Sequence, residues 1–199
     1  DLRLGSAVAG VKREGGGVQV RAFGGEWEQF DEVVLATHSD ISLSLLADAS
    51  PAERAALGSV RYQPNQAILH RDPSVMPKNR KCWSSWVYVE GAGQAKGKID
   101  LTYWMNSLQP IPQDDPIFVT LNSNGGIRDD LIDDVVTFDH PVYDLAATAA
   151  QSTIRAMNGT QNTWFAGAWM RNGFHEDGFA SAVDVVNAMT SRARETVAA

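Results

Sequence analysis

With 199 residues, 44% of them hydrophobic and 21% charged, the chain can bury a core in one or two domains and is too apolar for disorder. A net charge of −7 without any long run of Lys and Arg argues against a nucleic-acid partner or an anionic membrane surface. No apolar run approaches the roughly 18 residues that stable membrane insertion needs. Cys82 is the only cysteine, so an internal disulfide is excluded, and with no signal peptide at the start a soluble, cytoplasmic protein is expected.

Residues 2–36 alternate and turn repeatedly. Ala7 to Arg13 and Val18 to Phe23 read as strands joined by Gly15-Gly16-Gly17, and Gly24-Gly25 turns into a third strand, Glu26 to Phe30. This small meander delivers the chain to Glu32–Thr37, a nearly continuous apolar run of the kind a strand buried on both faces requires. Asp1 has no methionine before it and the first residues already read as mid-domain strand, so a fragment is expected. From Ser39 to Leu57 two short helices are predicted, the second opened by Ser50-Pro51-Ala52-Glu53, with Ser at the N-cap, Pro at the first position and Glu three after the Ser. Gly58 ends it.

Between Val60 and Asn122, four strands are predicted near Tyr62 to His70, Cys82 to Val89, Ile99 to Met105 and Ile117 to Leu121, forming an antiparallel sheet inserted in the first domain. Six aromatics cluster there, Tyr62, Trp83, Trp86, Tyr88, Tyr103 and Trp104, and a stripe of this kind is expected to be sheet core. Asp129, Asp130, Asp133 and Asp134 read as a solvated helix face, since hard cations need convergent oxygens around a glycine-turned loop. The four histidines lack metal-ligand spacing, and there is no Gly-x-Ser-x-Gly, so neither a metal site nor a nucleophilic triad is expected. Leu145 to Met157 reads as a helix.

The last stretch, Trp164 to Phe179, reads as strand, glycine-punctuated loop and acidic helix start, an order that leaves backbone N–H groups at a helix N-terminus facing whatever lies in front of them. After Gly178, the residues Phe179, Ala182, Val183, Val186 and Met189 recur at helical spacing and predict the buried face, with Ser181, Asp184, Asn187 and Ser191 opposite.

The run from Phe165-Ala166-Gly167 through Gly173-Phe174-His175-Glu176-Asp177-Gly178 resembles the C-terminal flavin-binding segment of the flavin-containing amine oxidase superfamily, and most closely a bacterial branch of predicted NAD/FAD-binding oxidoreductases. Tyr62-Gln-Pro-Asn, Met76-Pro77, Trp83-Ser-Ser-Trp86, Leu101-Thr-Tyr-Trp-Met-Asn106 and Phe138-x-His-Pro-Val-Tyr143 appear in the order of that branch, so the likeness covers nearly the whole chain. It implies an α/β fold, α+β in the insert: the C-terminal part of an FAD-binding Rossmann-like domain at residues 1–48 and 158–199, around an antiparallel substrate domain at 49–157.

The resemblance implies that Gly167, Gly173, Phe174, His175 and Glu176 lie against the pyrimidine edge of FAD, that the backbone of Val8 meets the adenine, and that Thr37 approaches the cofactor. Phe174 stands where amine oxidases have Tyr, and Asp177-Gly178 where they have Gly-Ala. The lysine that amine oxidases carry on the strand matching Gln66 to His70 is absent. Gln66 and His70 are expected to be satisfied polar residues on a sheet edge. Tyr143 and Phe174 are the candidate pair framing a substrate pocket, with His140 and His175 as polar groups near the ring. Catalysis by hydride transfer from a C–H bond to flavin N5 is implied for the full-length parent, on a small and hydrophobic substrate. The Gly-x-Gly-x-x-Gly phosphate cradle does not occur in this sequence, so the fragment alone is expected to be inactive and to lose FAD. Two alternatives stand beside this: a non-catalytic FAD-fold binding or interaction module, and a homodimer formed through the truncated sheet.

Overall fold

The computed structural model describes residues 1–89 and 100–198. They form two compact units, Asp1–Arg61 with Pro141–Ala199, and Tyr62–His140.

The first unit opens with the expected meander: β1 (Val8–Glu14), β2 (Gly17–Ala22) and β3 (Trp27–Phe30) pair antiparallel in that order. Gly15 and Gly16 turn the hairpin at φ of 64° and 83°, a region open to glycine at no steric cost. β4 (Val33–Leu35) then pairs in parallel with β10 (Thr163–Phe165), Val33 opposite Thr163 and Leu35 opposite Phe165. Of the expected doubly buried strand only Leu35 is buried, and Val34 remains 43% exposed, because among the described residues β10 is the one strand beside β4.

Helices α1 (Ser39–Leu45) and α2 (Pro51–Leu57) follow, and α2 carries the full capping box: Glu53 N–H donates to Ser50 Oγ at 3.2 Å and Ser50 N–H to Glu53 Oε2 at 2.7 Å. The same Glu53 forms a bidentate pair with Arg13 of β1, at 2.7 and 3.0 Å, with both side chains more than nine-tenths buried. Burial opposes the charge on Glu53, but Arg13 and the Ser50 N–H outweigh it and hold the carboxyl below its ordinary value. Gly58 caps α2 in right-handed conformation (φ −74°); a Cβ there would lie 2.7 Å from the Arg54 carbonyl, so close approach, not positive φ, makes it glycine.

The second unit is built on a five-stranded sheet in the order β6 (Trp86–Val89), β7 (Asp100–Trp104), β8 (Phe118–Leu121), β5 (Arg61–His70), β9 (Ile132–Val142), with the four-residue helix α3 (Met105–Leu108) after β7. Ile99, expected to open β7, lies outside the described residues. Cys82 closes a short 3-10 turn, Arg80–Cys82, instead of opening β6. The acidic stretch is not a helix face: Asp129–Leu131 is one 3-10 turn and β9 follows. Val135, Val136, Thr137 and Phe138 favour extended backbone, and the carboxylates are spent locally, Asp130 on Arg128 at 2.6 Å and Asp133 on Arg71 at 3.1 Å.

α4 (Leu145–Met157) matches its expected bounds and is capped by Asp144, which accepts from Ala147 N–H at 2.8 Å. α4 packs on α2, so both belong with the first unit, and the unit boundaries fall at Arg61/Tyr62 and His140/Pro141, inside the expected 49–157 segment. α5 (His175–Ala198) opens within the expected acidic helix start, with Gly178 inside its first turns. Its buried line is Ser181 and Val185, with Met189 packed beside them against Trp164 and Ala166; Phe179 (68% exposed), Val183 and Val186 face out. The predicted face is rotated: Met189 packs inward and Asp184, Asn187 and Ser191 face out as expected, while the polar Ser181 is needed inside.

Candidate functional site

In the first unit the site elements are held by side chains reaching the backbone. Gly167 N–H donates to the buried Ser181 Oγ at 2.8 Å, and that hydroxyl donates to Gly178 O at 2.7 Å, joining the strand end to α5. Trp169 Nε1 donates to Thr37 O at 3.0 Å, tying the 3-10 turn Ala168–Met170 to the end of β4. The carbonyls of that turn are in turn held from α4: Gln151 Nε2 reaches Trp169 O at 3.0 Å and Arg171 O at 2.6 Å, and Arg155 reaches Met170 O. Gln151 and Ser181 were not legible as site residues, since each is an unremarkable polar residue within a helical pattern.

Two glycines leave space where a side chain would collide. Gly167 sits at φ 154°, where a Cβ would approach Trp169 Nε1 to 2.6 Å. Gly173 sits at φ 94°, where a Cβ would meet Tyr143 Oη at 2.6 Å. The second contact brings Tyr143 beside the loop that carries Phe174. Phe174 is 67% exposed, and its backbone N–H is taken by Asp177 Oδ2 at 3.0 Å. In the first turn of α5 the N–H groups of His175, Glu176 and Asp177 have no helical carbonyl to reach. The macrodipole makes that end electropositive, and Glu176 and Asp177 offset part of it.

Val8 and Thr37, expected from the resemblance to approach one cofactor, line one apolar cavity of about 320 Å³ together with Val20, Val34, Leu35 and Ile41. Thr37 Oγ1 is paired with Ser42 Oγ at 2.9 Å.

The sheet of the second unit has two unlike faces. On one, Trp104 pairs with Phe118 across β7 and β8; Trp83 meets Trp104 and Phe118 edge-on at 5.2 and 5.6 Å, and His70 stacks on Phe118 at 5.5 Å. His70 is fully buried on an interior strand, not on a sheet edge: its Nδ1 accepts from Asp72 N–H at 3.2 Å and its Nε2 meets Thr120 Oγ1 at 2.8 Å, which meets Thr102 Oγ1 at 2.8 Å. Burial lowers its pKa, against the pull of Asp72 and Asp133. Burial also works against the charge on Asp72, but the N–H groups of Arg128 and Ser74 prevail and lower its pKa.

The other face is less covered among the described residues, most of all toward β6. Cross-strand rows put Tyr88, Leu101, Leu121 and Ala67 on it, and one step along Trp86, Tyr103, Val119 and Leu69. Trp86 and Tyr88 are more than half exposed, so the aromatic stripe divides, Trp83 and Trp104 to the packed face and Trp86 and Tyr88 to the less covered one. Burial raises the pKa of the Tyr103 phenol. Asn65, on the same face, meets the exposed His140. Among the described residues, no cluster of His, Cys, Asp and Glu could hold a metal ion, and no helix is long and apolar enough to cross a membrane.

No protein-family model and no curated protein matches the chain. Solved structures do. The CLA-producing fatty acid isomerase from P. acnes matches with a TM-score of 0.59 at 15% identity, over 92% of this chain and 47% of its own. Reduced UDP-galactopyranose mutase matches at 0.64 and 10%, over 96% and 48%. Cyclohexylamine oxidase from Brevibacterium oxydans matches at 0.63 and 10%, over 94% and 48%. The chain spans about half the length of each, and at these identities the likeness is one of fold. The shared fold is a mixed helix-and-sheet architecture with antiparallel sheets, in keeping with the fold class expected from the sequence resemblance.

Proposed function

We propose that the chain is the C-terminal portion of an FAD-dependent oxidoreductase that moves a hydride from a substrate C–H bond to the flavin. The observation that carries this reading is the first unit's fold together with the cavity shared by Val8 and Thr37, two residues 29 positions apart in sequence that the resemblance assigns to one cofactor. Bound FAD supplies the hydride acceptor at N5. The chain supplies shape and polarity. Gly167 and Gly173 let the loop pack closely on Trp169 and Tyr143, and the first-turn N–H groups of His175 and Glu176 suit the carbonyl edge of an isoalloxazine. The pairing of Phe174 N–H with Asp177 leaves that backbone group to the protein. Tyr143, beside Gly173, and the exposed Phe174 ring are apolar walls for a hydrophobic substrate. The three similar structures are an isomerase, a mutase and an oxidase, so fold alone selects no reaction.

The test is visible absorbance after incubation with FAD and desalting, on this chain and on a longer natural protein that contains it. Flavin in the longer protein alone supports the reading and a cradle outside this sequence; flavin in neither overturns it in favour of a non-catalytic module. The uncovered side of β4 and the exposed Phe179, Val183 and Val186 of α5 favour self-association of the isolated chain, and a monomeric mass by light scattering would count against that.

A further inference from the structure

His140 Nδ1 faces two groups that make opposite demands. The Asn65 amide nitrogen lies 3.1 Å away and is a donor; the Phe138 carbonyl lies 3.3 Å away and is an acceptor. Which one is satisfied decides the tautomer of the imidazole, and the surrounding hydrogen bonds decide it unambiguously. The backbone N–H of Gln66, which can only donate, points at Asn122 Oδ1 at 3.2 Å. That fixes the Asn122 side chain, so its nitrogen donates to Asn65 Oδ1 at 2.8 Å, where Gln63 Nε2 also donates at 3.3 Å. Asn65 therefore presents its NH2 to His140, and turning the amide over would set nitrogen against the Asn122 donor and oxygen against the Gln63 carbonyl, which accepts from Asn65 Nδ2 at 3.4 Å.

We propose that Asn65 is a positioning residue that holds His140 in the tautomer with the proton on Nε2, so that the ring offers an N–H donor to an acceptor oxygen of an apolar ligand lying on the less covered sheet face. Nε2 has no partner among the described residues. The Phe138 ring stands edge-on to the imidazole at 6.5 Å and is 54% exposed, giving the donor an apolar flank. From β9 to β6 the face is four strand spacings wide, roughly 19 Å, and its far side carries the exposed Trp86 and Tyr88. An apolar molecule with one carbonyl-type oxygen matches that layout: a single donor at one side and aromatic surface across the remainder. The substrate role rests on the flavoenzyme reading above; the tautomer does not.

The experiment is two-bond proton–nitrogen correlation NMR on the histidine-labelled chain, for the unaltered protein and for Asn65→Asp, in which a carboxylate that only accepts replaces the amide donor while Asn122 and Gln63 keep their acceptor. Nδ1 is expected to be pyridine-type in the unaltered protein and pyrrole-type in the Asp variant. The same assignment in both overturns the positioning role. Addition of 2-octanone is expected to move the His140 Nε2 and neighbouring Phe138 ring signals in the unaltered chain, and Phe138 alone in the variant. Equal movement of His140 in both proteins, or no movement in either, overturns the ligand. Neither readout involves flavin, so loss of the oxidoreductase reading would leave this result standing.

Discussion

His70 and His140 belong to neighbouring strands of one sheet and differ in almost everything else. His70 is buried against Phe118, with both ring nitrogens occupied by the protein. His140 is exposed, with one nitrogen directed by an amide relay and the other uncommitted among the described residues. An imidazole whose two nitrogens are both consumed contributes to folding, whereas one held by a single nitrogen has a group left over for another molecule.

Breaking the buried member is expected to cost most. His70→Ala removes a packed ring, takes one partner from Thr120 and leaves the buried Asp72 N–H without its acceptor, and a loss of about 2–4 kcal/mol is expected in urea unfolding followed by tryptophan fluorescence. Thr120→Val keeps the shape but leaves the His70 Nε2–H without an acceptor, for about 1–3 kcal/mol by the same measurement.

The acid response sharpens the comparison further. Burial lowers the folded-state pKa of His70 below its ordinary 6.5, so its contribution is complete above that value. As pH falls through 6.5 the unfolded chain takes up a proton that the folded chain resists, and stability declines by at most about 1.4 kcal/mol per pH unit for one group. His70→Gln should remove that component of the slope, and an unchanged slope between pH 6.5 and 5 would assign it elsewhere. His140→Ala, on the less covered side, should change unfolding by less than about 0.5 kcal/mol.

The meander, the Ser50–Glu53 capping box and α4 were legible because each is written in local chemistry: glycine turns, a cap at fixed offset, an unbroken helical pattern. β9 was not, since four aspartates masked a β-branched run whose pairing with β5 is a long-range fact. The face of α5 was misread for a related reason. Ser181 is buried because Gly167 N–H needs an acceptor, and nothing near Ser181 in sequence announces that need. His70 and His140 look alike in the sequence, where no local sign says which face each takes. The glycines at 167 and 173 were visible as glycines, whereas the atoms they make room for, Trp169 Nε1 and Tyr143 Oη, come from elsewhere in the chain.

The parallel pair β4–β10 also has a kinetic meaning. Val33 and Thr163 must find each other across the whole second unit, and closing a loop of disordered chain that long carries an entropic cost that slows folding. The second unit is contiguous, so it can form first and draw its own two ends into one sheet, as neighbouring strands β5 and β9. Folding should then proceed from the insert outward, and a nascent chain halted at His140 would hold a finished second unit and a first unit still waiting for α4, β10 and α5.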